Sequence, residues 1–337
     1  MAAPIEIIVP SHTQSPEDFY FLEDYLGEFK RRYREEVAFQ SVPWADYHTT
    51  INQIAFKRSG PVIGEVGSTW VLSLKAMDAL RPFTGQELDR ILGDMTLLSP
   101  KAIELEPDEN RLFWHIPHTT DVRFIIYWRD MLEDAGVEDE ENAFSSSAAI
   151  FETCEKLVRS GISTPWAVLT EPHNLTLHFI ASWIWGSGSE LLDSQRNVVG
   201  FAEPLAISAI RDYYALATYM PLSDKHISEY DALELFRNRQ VAATITGPWA
   251  RDMLISEFNL PPEEFTRIGV AMPPGPPMVG GTNLVVFKHI PARYERAALH
   301  LLKTFSSIDV QRATYEETQR LPVTFAAVKS PQYLHDA

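Results

Sequence analysis

Between two very apolar stretches of the sequence lies a polar tetrapeptide, His118-Thr119-Thr120-Asp121. An ionised aspartate accepts strong, charge-assisted hydrogen bonds, so Asp121 is expected to face a cleft where the chain crosses between two lobes; the competing role is a hinge hydrogen bond. Three further groups of polar and aromatic residues stand where β-type runs stop: Ser11-His12, Trp44 with Asp46 and Tyr47, and Ser68 with Trp70. Acceptors beside indole rings suit recognition of a ligand. The alternatives are core packing for the tryptophans and helix capping for Asp46.

Several constellations that would support catalysis or metal binding are missing. His115 and His118 are an odd number of positions apart, so in an extended segment they point to opposite faces. His173 and His178 make a poor helical pair, and Cys154 is the single cysteine, so neither a zinc site nor an intrachain disulfide is expected. The glycine-rich pieces lack a phosphate-loop lysine or a dinucleotide fingerprint, and there is no Gly-x-Ser-x-Gly elbow. No cofactor is expected.

The elements that must position these residues read in order. Ile5 to Val9, Val37 to Val42 and Val62 to Val66 are strand runs separated by helical patterns, the βαβ grammar of a mostly parallel sheet. Ligands of such sheets sit at the carboxyl ends of the strands, where the three groups named above fall. Met77 to Leu105 reads as irregular helix broken by Pro82 and Pro100. Arg111 to Pro117 reads as a strand, and the unbroken Phe124–Trp128 run as a strand buried on both faces, with a helix from Asp130 closed by Gly136. The acidic Glu138–Glu141 run is expected to start the next helix. Later elements are an apolar helix over Leu175–Trp185, strands at Val241–Ile245, Ile268–Met272 and Leu284–Phe287, and a stiff linker at Pro273–Pro277.

A chain of 337 residues suits two lobes rather than one core. Its net charge of −17 disfavours nucleic-acid or anionic-membrane partners, which need a basic face. The basic run Lys30–Arg34 is followed at once by Glu35-Glu36 and reads as a solvated helix face.

Taken in order and spacing, several segments resemble the extracellular solute-binding proteins of ABC transporters, in the carbohydrate-binding branch that includes maltose-binding protein. They are Glu65–Trp70, Ile116-Pro117 with Arg123–Leu132 and Ala135–Val137, Thr164–Ala167, Ser182–Gly186, Ala242–Trp249, Gly280–Asn283 and Leu321-Pro322. The resemblance implies an α/β, two-lobe periplasmic-binding-protein fold of type II with a multi-crossing hinge. It places lobe 1 at 1–118 plus 283–308 and lobe 2 at 122–280 plus 309–337, with hinges near 118–122, 280–283 and 306–310.

The same resemblance implies a sugar or oligosaccharide ligand, a permease partner, a monomer, and a periplasmic or extracellular location reached through a membrane-tethered precursor. Asp121 then matches a cleft acid, Trp249 a stacking aromatic, and Gly281-Thr282 a backbone contact. Ser68, Trp70, Trp44, Asp46 and His12 would line the cleft from strand ends. Of Trp183 and Trp185, two apart on one helix, one is expected to line the cleft and the other to pack inside. Asn283 and Arg320 complete the candidates. The acidic residue that often follows the third strand is replaced near Ser68, so detailed sugar specificity does not transfer. Two other readings stay open: a cytosolic ligand-sensing module of the same fold, and a carbohydrate-active enzyme using Asp121 and Glu65.

Overall fold

The computed structural model describes residues 4–11, 21–93, 95, 97, 105–140, 142–172, 174–193, 198–221 and 226–329. His12 lies outside the described residues. The chain divides into two units, Met1–Asp121 with Val279–Ala337, and Val122–Met278.

In the first unit the expected βαβ order is realised. The Ile5–Ser11 strand pairs in parallel with both Val37–Pro43 and Ile63–Gly67. The sheet continues through Val279–Val286, antiparallel to Ile63–Gly67, then Ile116–Val122, and ends at Leu321–Pro322. Strand alternation feeds two separate cores. Ile5, Ile7, Val9, Leu284 and Val286 join one, while Ile8, Val66, Val285 and Phe287 join the other, so helices cover both faces.

The second unit is built on a four-stranded sheet in the order Ile268–Ala271, Phe124–Trp128, Ala243–Thr246, Trp166–Ala167. Phe124–Trp128 is antiparallel to both of its neighbours. Ile125–Trp128 of its apolar run are buried as expected and Phe124 is half-buried, with Trp128 stacked on Phe236 and its indole N–H donated to the Phe236 carbonyl.

Several expectations are corrected. His118–Asp121 is not a linker between strands but part of the Ile116–Val122 strand, because Thr119 and Thr120 take backbone partners in Pro322 and Leu321. The unit boundaries fall at Asp121 and at Met278. No crossing occurs at 306–310. The Ala292–Phe305 and Ile308–Thr318 helices belong to one unit, with Val310 buried in the same core as Leu301, so the segment from 309 belongs to the first unit and not the second.

Of the acidic run, Glu138–Glu140 start no helix, and Glu141 lies outside the described residues. Asp139 caps a turn through Asn142, Glu140 accepts from the Tyr127 hydroxyl and pairs with Arg129, and the helix begins later, at Ser147, capped by Ser146. Within the stretch read as irregular helix, Phe83–Thr84 is a strand paired with Leu112–Phe113. The Gly85–Leu92 helix follows it, started by a Thr84/Glu87 capping box.

Candidate functional site

In the first unit Trp44 opens the Trp44–Lys57 helix at the end of the second strand, and Trp70 closes a one-turn segment after Gly67. Both are half-buried. Their ring centroids are 5.7 Å apart at 75°, Trp44 stands edge-on to Tyr47 at 5.6 Å, and His48 lies 4.7 Å from Trp70. Tyr47 anchors the group. It is fully buried, and its hydroxyl sits 2.9 Å from the Ile8 carbonyl and 2.6 Å from the Glu65 carbonyl. Trp70 folds back over Gly67, where a side-chain carbon would stand 3.1 Å from the indole. Asp46 is exposed in the first turn of its helix and Ser68 half-buried beside Trp70.

Glu65, whose backbone carbonyl Tyr47 holds, carries a polar knot on its side chain. Glu65 is 1% exposed, yet one of its oxygens accepts from Arg320 Nη1 at 2.5 Å and Thr282 Oγ1 at 2.5 Å. Thr282 also shares a 2.7 Å hydrogen bond with Thr119 Oγ1, and Arg320 Nε donates to Thr318 Oγ1. Burial pushes the Glu65 carboxyl up, but Arg320, His118 and the hydrogen bonds outweigh it and hold the group below its ordinary range. His118 is buried close by. Loss of solvent pulls its pKa down to about 4, against the attraction of Glu65, so it is neutral near pH 7. A cavity with room for about one water molecule is bordered by Glu65, His118, Thr314 and Arg320 together with apolar side chains.

This knot changes the role of three candidates. Thr282 and Arg320 direct polar groups to Glu65, and Asn283 is buried within its strand. Gly281 has a φ of 126°, and a side-chain carbon there would lie 2.1 Å from the Thr119 carbonyl. Its glycine is required by the close passage of the Thr119 backbone. Asp121, half-buried, is the last residue of the unit before the chain leaves it.

The second unit holds its tryptophan differently. Trp249 follows the Ala243–Thr246 strand and the Gly247-Pro248 turn and is half-buried. Its indole N–H donates to Glu229 Oε1 at 2.8 Å, and Thr246 Oγ1 donates to the same oxygen at 2.9 Å. The Arg123 guanidinium carbon lies 4.5 Å from the centre of the Trp249 ring, and Arg123 Nη2 is 3.2 Å from His178 Nδ1. Trp183 is corrected to a core residue, 2% exposed and edge-on to Tyr213 at 5.1 Å, while Trp185 is half-buried.

Sequence reasoning singled out neither Arg123 nor Glu229. The signal for Arg123 was available, since it lies two positions from Asp121, the spacing that puts side chains on one face of an extended chain. Glu229 carries no comparable signal, because its partner Trp249 is 20 residues away. Among the described residues no group of three or more His, Cys, Asp or Glu could hold a metal ion, and no helix is long and apolar enough to cross a membrane.

The comparisons with known proteins bear on the whole chain. Maltose-bound MalE3 of T. maritima superposes with a TM-score of 0.79 at 20% identity, covering 98% of this chain and 85% of that one. The GacH receptor of Streptomyces glaucescens, solved unliganded and with acarbose, gives 0.78 at 18% identity, covering 99% and 84%. The ABC substrate-binding protein Lmo0181 of Listeria monocytogenes, in complex with cycloalternan, gives 0.76 at 16% identity, covering 99% and 83%. These likenesses establish the two-lobe α/β fold of periplasmic binding proteins. Comparison with curated protein sequences gives no match. The family model for bacterial extracellular solute-binding proteins matches residues 25–337, and this chain belongs to that family.

Proposed function

We propose that the chain captures a sugar or oligosaccharide, without chemical turnover, and delivers it to the permease of an ABC transporter. It acts as a monomer outside the cytoplasmic membrane. The observation that carries the sugar reading is the pair of half-buried tryptophan sites at strand ends, Trp44 with Trp70 in one unit and Trp249 in the other. Indole faces suit the C–H faces of sugar rings, and neighbouring carboxylates and amides suit the hydroxyls. The structural relatives were solved with maltose, acarbose and cycloalternan, which supports the same ligand class.

Asp121, Trp249, Trp70, Trp44, Ser68 and Trp185 are the residues proposed to touch ligand. Asp46, exposed beside Trp44, His12, and the backbone at Gly281 are secondary candidates. Arg320, Thr282 and Asn283 act from behind, through the Glu65 knot and the strand. Binding rather than catalysis is favoured because Glu65, one of the two acids an enzymatic reading needs, is buried and engaged by Arg320 and Thr282.

Isothermal titration with maltose, maltotriose, tagatose and chitin oligosaccharides tests this reading, with product analysis on the same mixtures. The expected result is saturable binding of at least one sugar, with every sugar recovered unchanged. Binding of amino acids or peptides but no sugar would overturn the ligand class. Cleaved oligosaccharide would overturn the absence of turnover.

A further inference from the structure

Trp249 is held at two points by groups of opposite charge. Arg123 is 3% exposed, and its guanidinium lies over the ring. It also lies within hydrogen-bond distance of His178, a second contact that fixes its own position. At the ring edge the indole N–H is donated to a carboxylate oxygen of Glu229, which Thr246 also holds. An indole free to rotate about its two side-chain bonds loses conformational freedom when a ligand stacks on it, and a plate fixed beforehand avoids that cost.

We propose that Arg123 and Glu229 are positioning residues that lock Trp249 into one rotamer before ligand arrives, leaving at most one face of the indole for a ligand ring. The first part stands on contacts within one unit and needs no ligand. The second rests on the reading of Trp249 as a stacking residue, and it limits this plate to one sugar ring at a time. Arg123 has the length and planarity to stack. Lysine at the same place would keep the charge and lose the flat face.

The test uses the intact chain labelled with 15N and no ligand, so that a failed sugar reading does not affect it. Trp249→Phe identifies one indole N–H resonance among the eight tryptophans. In the parent protein that proton is expected to exchange slowly and give a single sharp signal. Glu229→Ala should speed its exchange by roughly tenfold or more, as expected for loss of a charge-assisted bond, and Glu229→Gln, which keeps an acceptor, should restore part of the protection.

Arg123→Met should broaden or split the Trp249 signal while the other indoles stay in place, with partial recovery in Arg123→Lys. If Arg123→Met does not fold, Arg123→Lys and Glu229→Gln carry the test through intermediate shifts. A Trp249 signal that stays sharp and protected in Glu229→Ala and in the folded Arg123 variants would overturn the proposal.

Discussion

In the first unit Trp44 and Trp70 lean on each other and on buried Tyr47, whereas in the second Trp249 has a guanidinium over its ring and a carboxylate at its N–H. The first unit has charges as well, but Glu65 and Arg320 are used on each other, tying the Ile63–Gly67 strand to Thr282, Thr119 and the segment before Leu321–Pro322. A cluster of rings tolerates a change in one member, because the neighbours still cover its apolar surface. A ring held by two directional charge contacts has no such reserve. Changing one ring of the first unit should therefore cost little, whereas its Glu65 knot carries stability and Trp249 carries affinity.

The largest effect is expected from Glu65→Ala, which leaves Arg320 without its buried acid and should cost about 3–5 kcal/mol of stability in denaturant titration. A loss below about 1 kcal/mol would mean that the knot is not what ties these strands. Trp183→Ala should cost a similar amount, about 3–5 kcal/mol, with ligand affinity per folded molecule unchanged, since the ring is core. Lost affinity at unchanged stability would return Trp183 to the ligand side.

The pH dependence of stability follows next in size. His118 has a folded pKa near 4 against 6.5 unfolded, so between those values the unfolded chain binds the extra proton and acid favours unfolding. Stability should be full above pH 6.5 and fall towards pH 4, by up to about 3 kcal/mol at 1.36 kcal/mol per unit. Glu65, whose folded pKa is depressed, extends the loss below its ordinary range. His118→Gln should flatten the upper part of this curve, and a curve unchanged in that variant would assign the loss to other groups.

Trp249→Ala should weaken sugar binding by about 1–3 kcal/mol in calorimetry, and should also lower stability, because Arg123 loses its cover and Glu229 a donor. Trp70→Phe, which keeps a ring among its neighbours, should cost less than about 1 kcal/mol in either measurement. Equal losses of affinity in the two variants would erase the distinction between the units.

Local pattern carried the parts of this chain that depend on neighbouring residues. The parallel Ile5, Val37 and Val62 runs, the buried Phe124–Trp128 strand and the turn at Gly136, with its φ of 71°, all follow from period and glycine placement. What escaped depends on distant partners. His118–Asp121 reads as a polar crossing between two strands until Leu321-Pro322 pairs with Thr120 and Thr119, 201 residues away at Leu321 and Thr120. The acidic run at Glu138 looks like a helix start until Tyr127 and Arg129 engage Glu140. Trp183 and Trp185 could not be separated, because their spacing says only that they face differently. The candidate aromatics were legible as residue types at strand ends; the charges that hold Trp249 were not.

The most direct test is a crystal structure with the tightest-binding sugar of the panel. The expected electron density has a sugar ring stacked on the face of Trp249 away from Arg123, with the indole N–H still on Glu229. A bound sugar that leaves Trp249 untouched, or a rotated indole that has left Glu229, would contradict the assignment of Trp249 as a fixed plate.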